Sequence, residues 1–124
     1  MVLGLAKHPI VDKYDFSSLK SILSGAAPMH SDLEISASKR VKVPIRQGYG
    51  MTEMSPVSHI TPLDKIVPGS VGVLVPNCVA KIIGPDGKEI EGPEGEGELC
   101  VKGPNIMKEY LHNPKATAET IDKD

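Results

Sequence analysis

The sequence predicts a mixed α/β (α+β) fold: a β-α-β unit within residues 1–66, followed by a β-rich stretch over residues 67–124. Three observations carry this expectation. A short alternating apolar run, Leu19-Lys20-Ser21-Ile22-Leu23, leads through a helical pattern to a second strand-like run at Val43-Pro44-Ile45-Arg46. From Ser70 onward, β-branched runs punctuated by glycine and proline replace helical spacing. The composition, 40% hydrophobic and 24% charged over 124 residues, is that of one ordinary globular domain. With one Phe, three Tyr and no Trp, the core has to be built from Val, Ile, Leu, Ala and Met.

Residues 2–7 read as the end of a helix stopped at His8-Pro9, and a chain that opens inside an element reads as a piece of something longer. Asp15 to Leu19 is a loop into the first strand. Ser24-Gly25-Ala26-Ala27-Pro28 then places small residues at that strand's carboxyl end, where ligands sit in open α/β sheets; a plain strand-to-helix turn has the same look. Ser31-Asp32-Leu33-Glu34 has the form of a capping box, with Ser31 accepting from the backbone and Glu34 reaching back. Leu33 and Ala37 share a face, and Lys39 and Arg40 suit the negative end of the helix dipole, so a helix is expected over about 31–41.

The second strand delivers Gln47-Gly48-Tyr49-Gly50-Met51-Thr52-Glu53. Glycines let backbone approach a ligand closely, and a tyrosine ring offers a flat face for stacking on a base. Thr52 can donate to a phosphate oxygen, and Glu53 can hold a hard cation such as Mg²⁺. The same seven residues also suit a strand running into a tight turn. Both candidate runs fall on one edge of the sheet. Met54 to Ile60 reads as a short strand past a proline turn; a histidine in a strand, here His59, is more often structural than ligand-facing.

Residues 61–70, with Pro62, Pro68 and Gly69, form a connector. Val71 to Val75, Cys78 to Ile83 and Glu98 to Lys102 read as strands, and Pro85-Asp86-Gly87-Lys88 as a hairpin turn. Five glutamates between Glu89 and Glu98, interleaved with Gly92, Pro93, Gly95 and Gly97, read as a solvated loop. It lacks metal-ligand spacing, and without a following Lys and Ser or Thr its glycines are not a phosphate loop. Pro104 to Tyr110 is a turn, and Asn113 caps a short helix with Pro114 at its first position.

A net charge of −2 gives no electrostatic case for nucleic acid or an anionic membrane. No run approaches 18 apolar residues, so no transmembrane helix is expected, and the start lacks the basic flank of a signal peptide. Cys78 and Cys100 have no Cys or His at metal spacing, so reduced, buried thiols are expected.

Five segments, taken in order, resemble the acyl-adenylate-forming (AMP-binding) superfamily of acyl-CoA synthetases, 4-coumarate–CoA ligases and beetle-type luciferases. They are Ser24 to Pro28, Gln47 to Glu53, Pro68-Gly69-Ser70-Val71-Gly72, Gly97 to Pro104, and Tyr110-Leu111-His112-Asn113-Pro114. Met51, Gly97 to Pro104 and Ile121-Asp122-Lys123-Asp124 are most similar to the 4-coumarate–CoA ligase and luciferase branch. The resemblance implies that residues 1–66 are the C-terminal part of an α/β nucleotide- and acyl-binding subdomain. Residues 67–124 would be the β-rich subdomain of the same large N-terminal domain, truncated.

It implies an activity as well. A carboxylate attacks the α-phosphorus of ATP, releasing pyrophosphate, and coenzyme A then takes the acyl group. Gly25, Ala26 and Ala27 would border the nucleotide and acyl pocket. Gln47, Gly48 and Tyr49 would form the adenine and adenylate wall, with Gly50 and Met51 close to the acyl group. Thr52 would bind phosphate and Glu53 would hold Mg²⁺. The substrate would be a small aromatic or fatty carboxylic acid, and the setting cytoplasmic or peroxisomal. The phosphate loop with its lysine, the ribose-gripping aspartate and the mobile domain with the catalytic lysine would lie outside these residues. The expectation is therefore a fragment carrying one wall of an active site, without turnover of its own. A luciferase-like monooxygenase fragment and a non-catalytic binding module are the alternatives.

Overall fold

The computed structural model describes residues 1–92 and 94–123; Pro93, expected in the acidic loop, and Asp124, expected in the last family segment, lie outside the described residues. Helix α1 (Val2–Lys7) and a 3₁₀ turn (Pro9–Lys13) lead to strand β1 (Ile22–Ser24), helix α2 (Ser31–Val41) and strand β2 (Ile45–Gly50). A second 3₁₀ turn (Thr52–Met54) precedes β3 (Val57–Ile60), β4 (Val73–Leu74), β5 (Val79–Ile83), β6 (Glu98–Lys102) and α3 (Pro114–Thr120). The expected α/β class holds. β1 and β2 are parallel, joined through α2, with Ile22 opposite Ile45. β3 and β4 add antiparallel to give the order β1-β2-β3-β4, while β5 and β6 form a separate antiparallel pair.

Two details of the strands differ from expectation. The first strand begins at Ile22 rather than Leu19, because the Leu19 amide closes a turn onto the Phe16 carbonyl (2.9 Å) and pairing starts at Ile22 N to Pro44 O (2.9 Å). The run expected over Val71 to Val75 is cut to Val73–Leu74. Gly72 turns the chain there at φ +90°, and a Cβ on it would sit 2.3 Å from the Ile60 carbonyl, so only glycine fits. That strand joins β3 and not the β5–β6 pair.

The core lies between α1, α2 and β2, and it is small. Val11, Val41 and Val43 pack with Leu5, Phe16 and Ile22, while Met29, Ala37 and Ile45 pack with Ala6, Ile22 and Leu33. Aliphatic side chains do most of this work, joined by Met29 and Phe16. Arg40 closes the end of α1: its guanidinium donates to the His8 carbonyl (3.0 Å) and to Asp12 Oδ1 (2.9 Å). A residue expected to serve its own helix dipole thus also ties α2 to the preceding turns.

The capping box does not form. His30 is the N-cap of α2 and makes no side-chain cap bond. Glu34, only 2% exposed, turns inward, where its Oε2 accepts from Gln47 Nε2 (2.7 Å) and from the Gly69 amide (3.0 Å). A buried side-chain donor on Gln47 and the Gly69 amide, both bonded to one carboxylate oxygen, outweigh one exposed amide that water can satisfy. The expected helix bounds, by contrast, are observed. So is the later helix, where Asn113 Oδ1 accepts from the Ala116 amide at 3.1 Å. The hairpin turn closes with Gly84 N to Lys88 O (2.8 Å), and all five glutamates of the acidic loop are exposed. Cys78 and Cys100 are free thiols but half-buried, each bordering or lying in the two-stranded β5–β6 pair. No helix of the described residues is long and apolar enough to cross a membrane.

Glu34→Ala removes the acceptor shared by Gln47 Nε2 and the Gly69 amide, so stability should fall by about 1–3 kcal/mol. Amide exchange at Gly69 should accelerate with it; unchanged protection at Gly69 would contradict the assignment. Val79 (63% exposed), Val73 (57%) and Leu63 (57%) leave apolar surface uncovered. The 124-residue chain on its own should therefore self-associate in sedimentation; a monodisperse monomer with a sharp melt would count against this.

Candidate functional site

The Gln47–Glu53 stretch is half strand and half turn. Gln47 to Gly50 complete β2, Met51 is extended at φ −151°, and Thr52 and Glu53 open the 3₁₀ turn. The register against β3 shifts between Tyr49 and Gly50. At that bulge a Cβ on Gly50 would lie 1.8 Å from the Pro56 carbonyl oxygen, which also accepts from the Met51 amide at 2.8 Å. Any other residue would open the bulge. The bulge re-aims the chain, and so divides the nominated residues between two clefts.

The first cleft, about 320 Å³, is lined by Ala26 to Met29 after β1, by Gln47 to Gly50 on β2, and by Gly69 and Val71. Here the small-residue run and the glycine-tyrosine run meet, at the carboxyl ends of β1 and β2. Ala26 sits in the left-handed region at φ 68°, where its Cβ crowds the following carbonyl. Gly25 is next to this wall without lining it; its Cβ position is 3.8 Å from the Gly48 carbonyl oxygen. Tyr49 is 39% exposed and meets His59 edge-on at 6.1 Å between ring centroids. Burial lowers the His59 pKa, and its Nδ1 lies 3.0 Å from Ser58 Oγ, so His59 serves as backing for the tyrosine. Gln47 is 5% exposed, and its Nε2 donates to the Met29 carbonyl (3.1 Å) as well as to Glu34. It is the floor that joins the two runs.

The second cleft, about 280 Å³, lies between Met51, Glu53 and Met54 on one side and β6, Ile106 and Thr120 to Asp122 on the other. Glu53 Oε1 accepts from the Tyr110 hydroxyl at 2.5 Å, and its carbonyl accepts from the Met107 amide at 2.8 Å. The Tyr110 hydrogen bond holds the Glu53 carboxyl below the usual carboxylate range, and the same bond raises the Tyr110 pKa. Asn105 Nδ2 donates to the Met54 carbonyl (2.6 Å) and the Val57 carbonyl (3.1 Å), and its Oδ1 accepts from Cys78 Sγ (3.2 Å). Thr52 is exposed at the rim and lines neither cleft.

Sequence reasoning missed three residues that shape these clefts: Glu34, Asn105 and Tyr110. Glu34 was visible only as part of a capping pattern. Tyr110 stood inside a recognised segment, but its distance of 57 positions from Glu53 leaves no local signal of contact. Nothing in the spacing around Asn105 marks it. Among the described residues no three His, Cys, Asp or Glu side chains gather as a metal cluster. Glu53, oriented by Tyr110, thus lines the second cleft, while glycine backbone faces the first.

Known proteins resemble this chain in sequence and in fold. Residues 1–111 match the family model described as AMP-binding enzyme. A probable 4-coumarate–CoA ligase 1 of Dictyostelium discoideum is 50% identical over 126 residues, covering 100% of this chain and 23% of that protein. A luciferin 4-monooxygenase of Photinus pyralis is 46% identical over 120 residues, covering 96% of this chain and 22% of that protein. The crystal structure of ATP-bound MatB from Rhodopseudomonas palustris superposes with a TM-score of 0.75 at 34% identity. That match covers 84% of this chain and 21% of the other. The chain thus spans less than a quarter of the length of these relatives.

Because the folded-state pKa of Glu53 lies below its unfolded value, the Tyr110 bond stabilises the fold above the ordinary carboxylate range. That contribution is lost as pH falls through the folded value. Carboxyl ¹³C titration should find the Glu53 pKa lower in wild type than in Tyr110→Phe. Coincident titration curves in the two proteins would contradict the bond.

Proposed function

The chain belongs to the AMP-binding enzyme family, and we propose on that premise that it forms one wall of the active site of an ATP-dependent carboxylate–CoA ligase. The observation that carries the proposal is the arrangement along residues 47–53. A base-sized cleft faced by glycine backbone and a tyrosine edge runs, across one bulge, into a carboxylate held in a single orientation.

In this reading Ala26, Ala27, Gly48 and Tyr49 flank the adenylate, with Gly25 supporting the loop and Gln47 fixing its floor. Gly50 and Met51 approach the acyl group. Thr52, exposed at the rim, donates to a phosphate oxygen. The residues fit a magnesium ion: one hard carboxylate of lowered pKa, with no metal-ligand cluster among the described residues, suits an ion that takes one or two protein carboxylates and fills its shell with phosphate and water. Tyr110 engages Oε1, so Oε2 would be left to hold such an ion. When bound, the ion would neutralise charge on the phosphates.

The protein's own contribution is positioning. Attack of the substrate carboxylate on the α-phosphorus breaks the bond to pyrophosphate and gives an acyl-adenylate, and the step gains mainly from alignment and charge stabilisation. Coenzyme A is the acceptor we assign to the second half-reaction. The name of the Dictyostelium relative supports an aromatic acid as substrate. One wall buries little of a ligand, so the chain alone should bind nucleotide weakly and not turn over. A luciferase-like monooxygenase is the second reading, favoured by the 46% identity to the Photinus enzyme, and it shares the adenylation step.

ATP–pyrophosphate exchange, run on the protein that carries these residues with a panel of aromatic and fatty acids, tests the proposal. Exchange should depend on the acid and fall about 100-fold or more in Glu53→Gln, since the lost carboxylate removes several kcal/mol of charge stabilisation. Absence of exchange with every acid, from folded protein, would sink the ligase reading. Light with luciferin and oxygen would move the assignment to the second.

A further inference from the structure

We propose that Tyr110 is the positioning residue for Glu53: its phenol fixes which carboxylate oxygen the Thr52–Met54 turn presents to a nucleotide-bound cation. The identity of that cation rests on the ligase reading above; the geometry does not.

One segment grips this turn at three points. The Tyr110 hydroxyl donates to Glu53 Oε1, the Met107 amide donates to the Glu53 carbonyl at 2.8 Å, and Asn105 Nδ2 donates to the Met54 carbonyl at 2.6 Å. Side chain and main chain of Glu53 are therefore both held from about fifty positions away in sequence. Tyr110 is itself anchored. Its amide donates to Thr117 Oγ1 (3.0 Å), and that hydroxyl donates to the carbonyl of Asn113 (2.9 Å), the residue that caps α3. A chain of bonds thus runs from α3 to the carboxylate.

Positioning and simple charge withdrawal predict opposite signs. A glutamate near the surface must have its three side-chain torsions frozen when it takes up a cation, and Tyr110 freezes them beforehand. Removing the phenol hydroxyl returns that entropy cost to the binding step and weakens the cation about fivefold, the equivalent of roughly 1 kcal/mol. A phenol that only drew charge from the carboxylate would do the reverse. Its removal would leave a more basic ligand and tighten binding.

The test uses the protein that carries this chain, with Mn²⁺ as the probe, a non-hydrolysable ATP analogue present, and free Mn²⁺ read by electron paramagnetic resonance. Tyr110→Phe should raise the Mn²⁺ half-saturation about fivefold. A crystal structure of that variant should find Glu53 in more than one rotamer. Thr117→Val, which keeps the phenol but removes its anchor, should move both readouts in the same direction by less. Unchanged or tighter Mn²⁺ binding in Tyr110→Phe, or Glu53 held in its wild-type rotamer, would overturn the proposal. A rise in KM for the acid with the Mn²⁺ constant unmoved would also overturn it, since it would mark a merely structural tie. If wild type bound no Mn²⁺ while Glu53 still lost its orientation in the variant, positioning would stand and the metal assignment to Glu53 would fall.

Discussion

One buried carboxylate oxygen, Glu34 Oε2, joins the pieces of the first cleft. It receives the Gln47 side chain from β2 and the Gly69 amide from the connector, while the other hydrogen on Gln47 Nε2 reaches the Met29 carbonyl after β1. Burying a carboxylate is costly unless it is hydrogen-bonded, so both donors are required once it is there. The consequence is directional. The small-residue run, the strand motif and the glycine turn at 68–72 are held at fixed separation by two side chains. Apolar packing could not specify this as sharply, because the surrounding core contains few buried apolar side chains, all aliphatic or Met.

The second constraint is steric. Gly50 has no room for a Cβ against Pro56, and the bulge it permits turns Met51 to Glu53 out of the plane of the first cleft toward β6. A single seven-residue run therefore faces two ways. Its first half meets the β1 loop, and its second half meets the Asn105–Tyr110 segment that follows the β5–β6 hairpin. Contacts that distant in sequence explain why the turn at Glu53 is defined although the β5–β6 pair shares no strand pairing with the first sheet.

Much of this was legible beforehand, and the physical reasons differ between elements. Helix α2 carried a shared Leu33–Ala37 face with Lys39 and Arg40 near its end, and α3 carried a cap and a proline, so local chemistry was enough to place both. The meeting of Ser24–Pro28 with Gln47–Gly50 followed from parallel β-α-β connectivity, which places both carboxyl ends on one edge. Glu34 could not be read correctly, because a capping box and a buried clamp use the same residue at the same spacing. Tyr110 and Asn105 could not be assigned at all. Their partners lie about fifty residues away, and neither periodicity nor turn chemistry reports a contact of that range. The division of the motif between two clefts was also hidden, since it depends on a bulge that glycine permits but does not announce.

The central claim is that residues 47–53 bind an acyl-adenylate along their length, base at one end and phosphate at the other. The most direct measurement is a crystal structure of the protein that carries this chain with a non-hydrolysable acyl-adenylate mimic. The account predicts adenine against Gly48 and Tyr49 beside Ala26 and Ala27, with the phosphate mimic beyond the Gly50 bulge on the side of Thr52 and Glu53. A mimic bound elsewhere, or one reversed so that its base lies at Glu53, would contradict it.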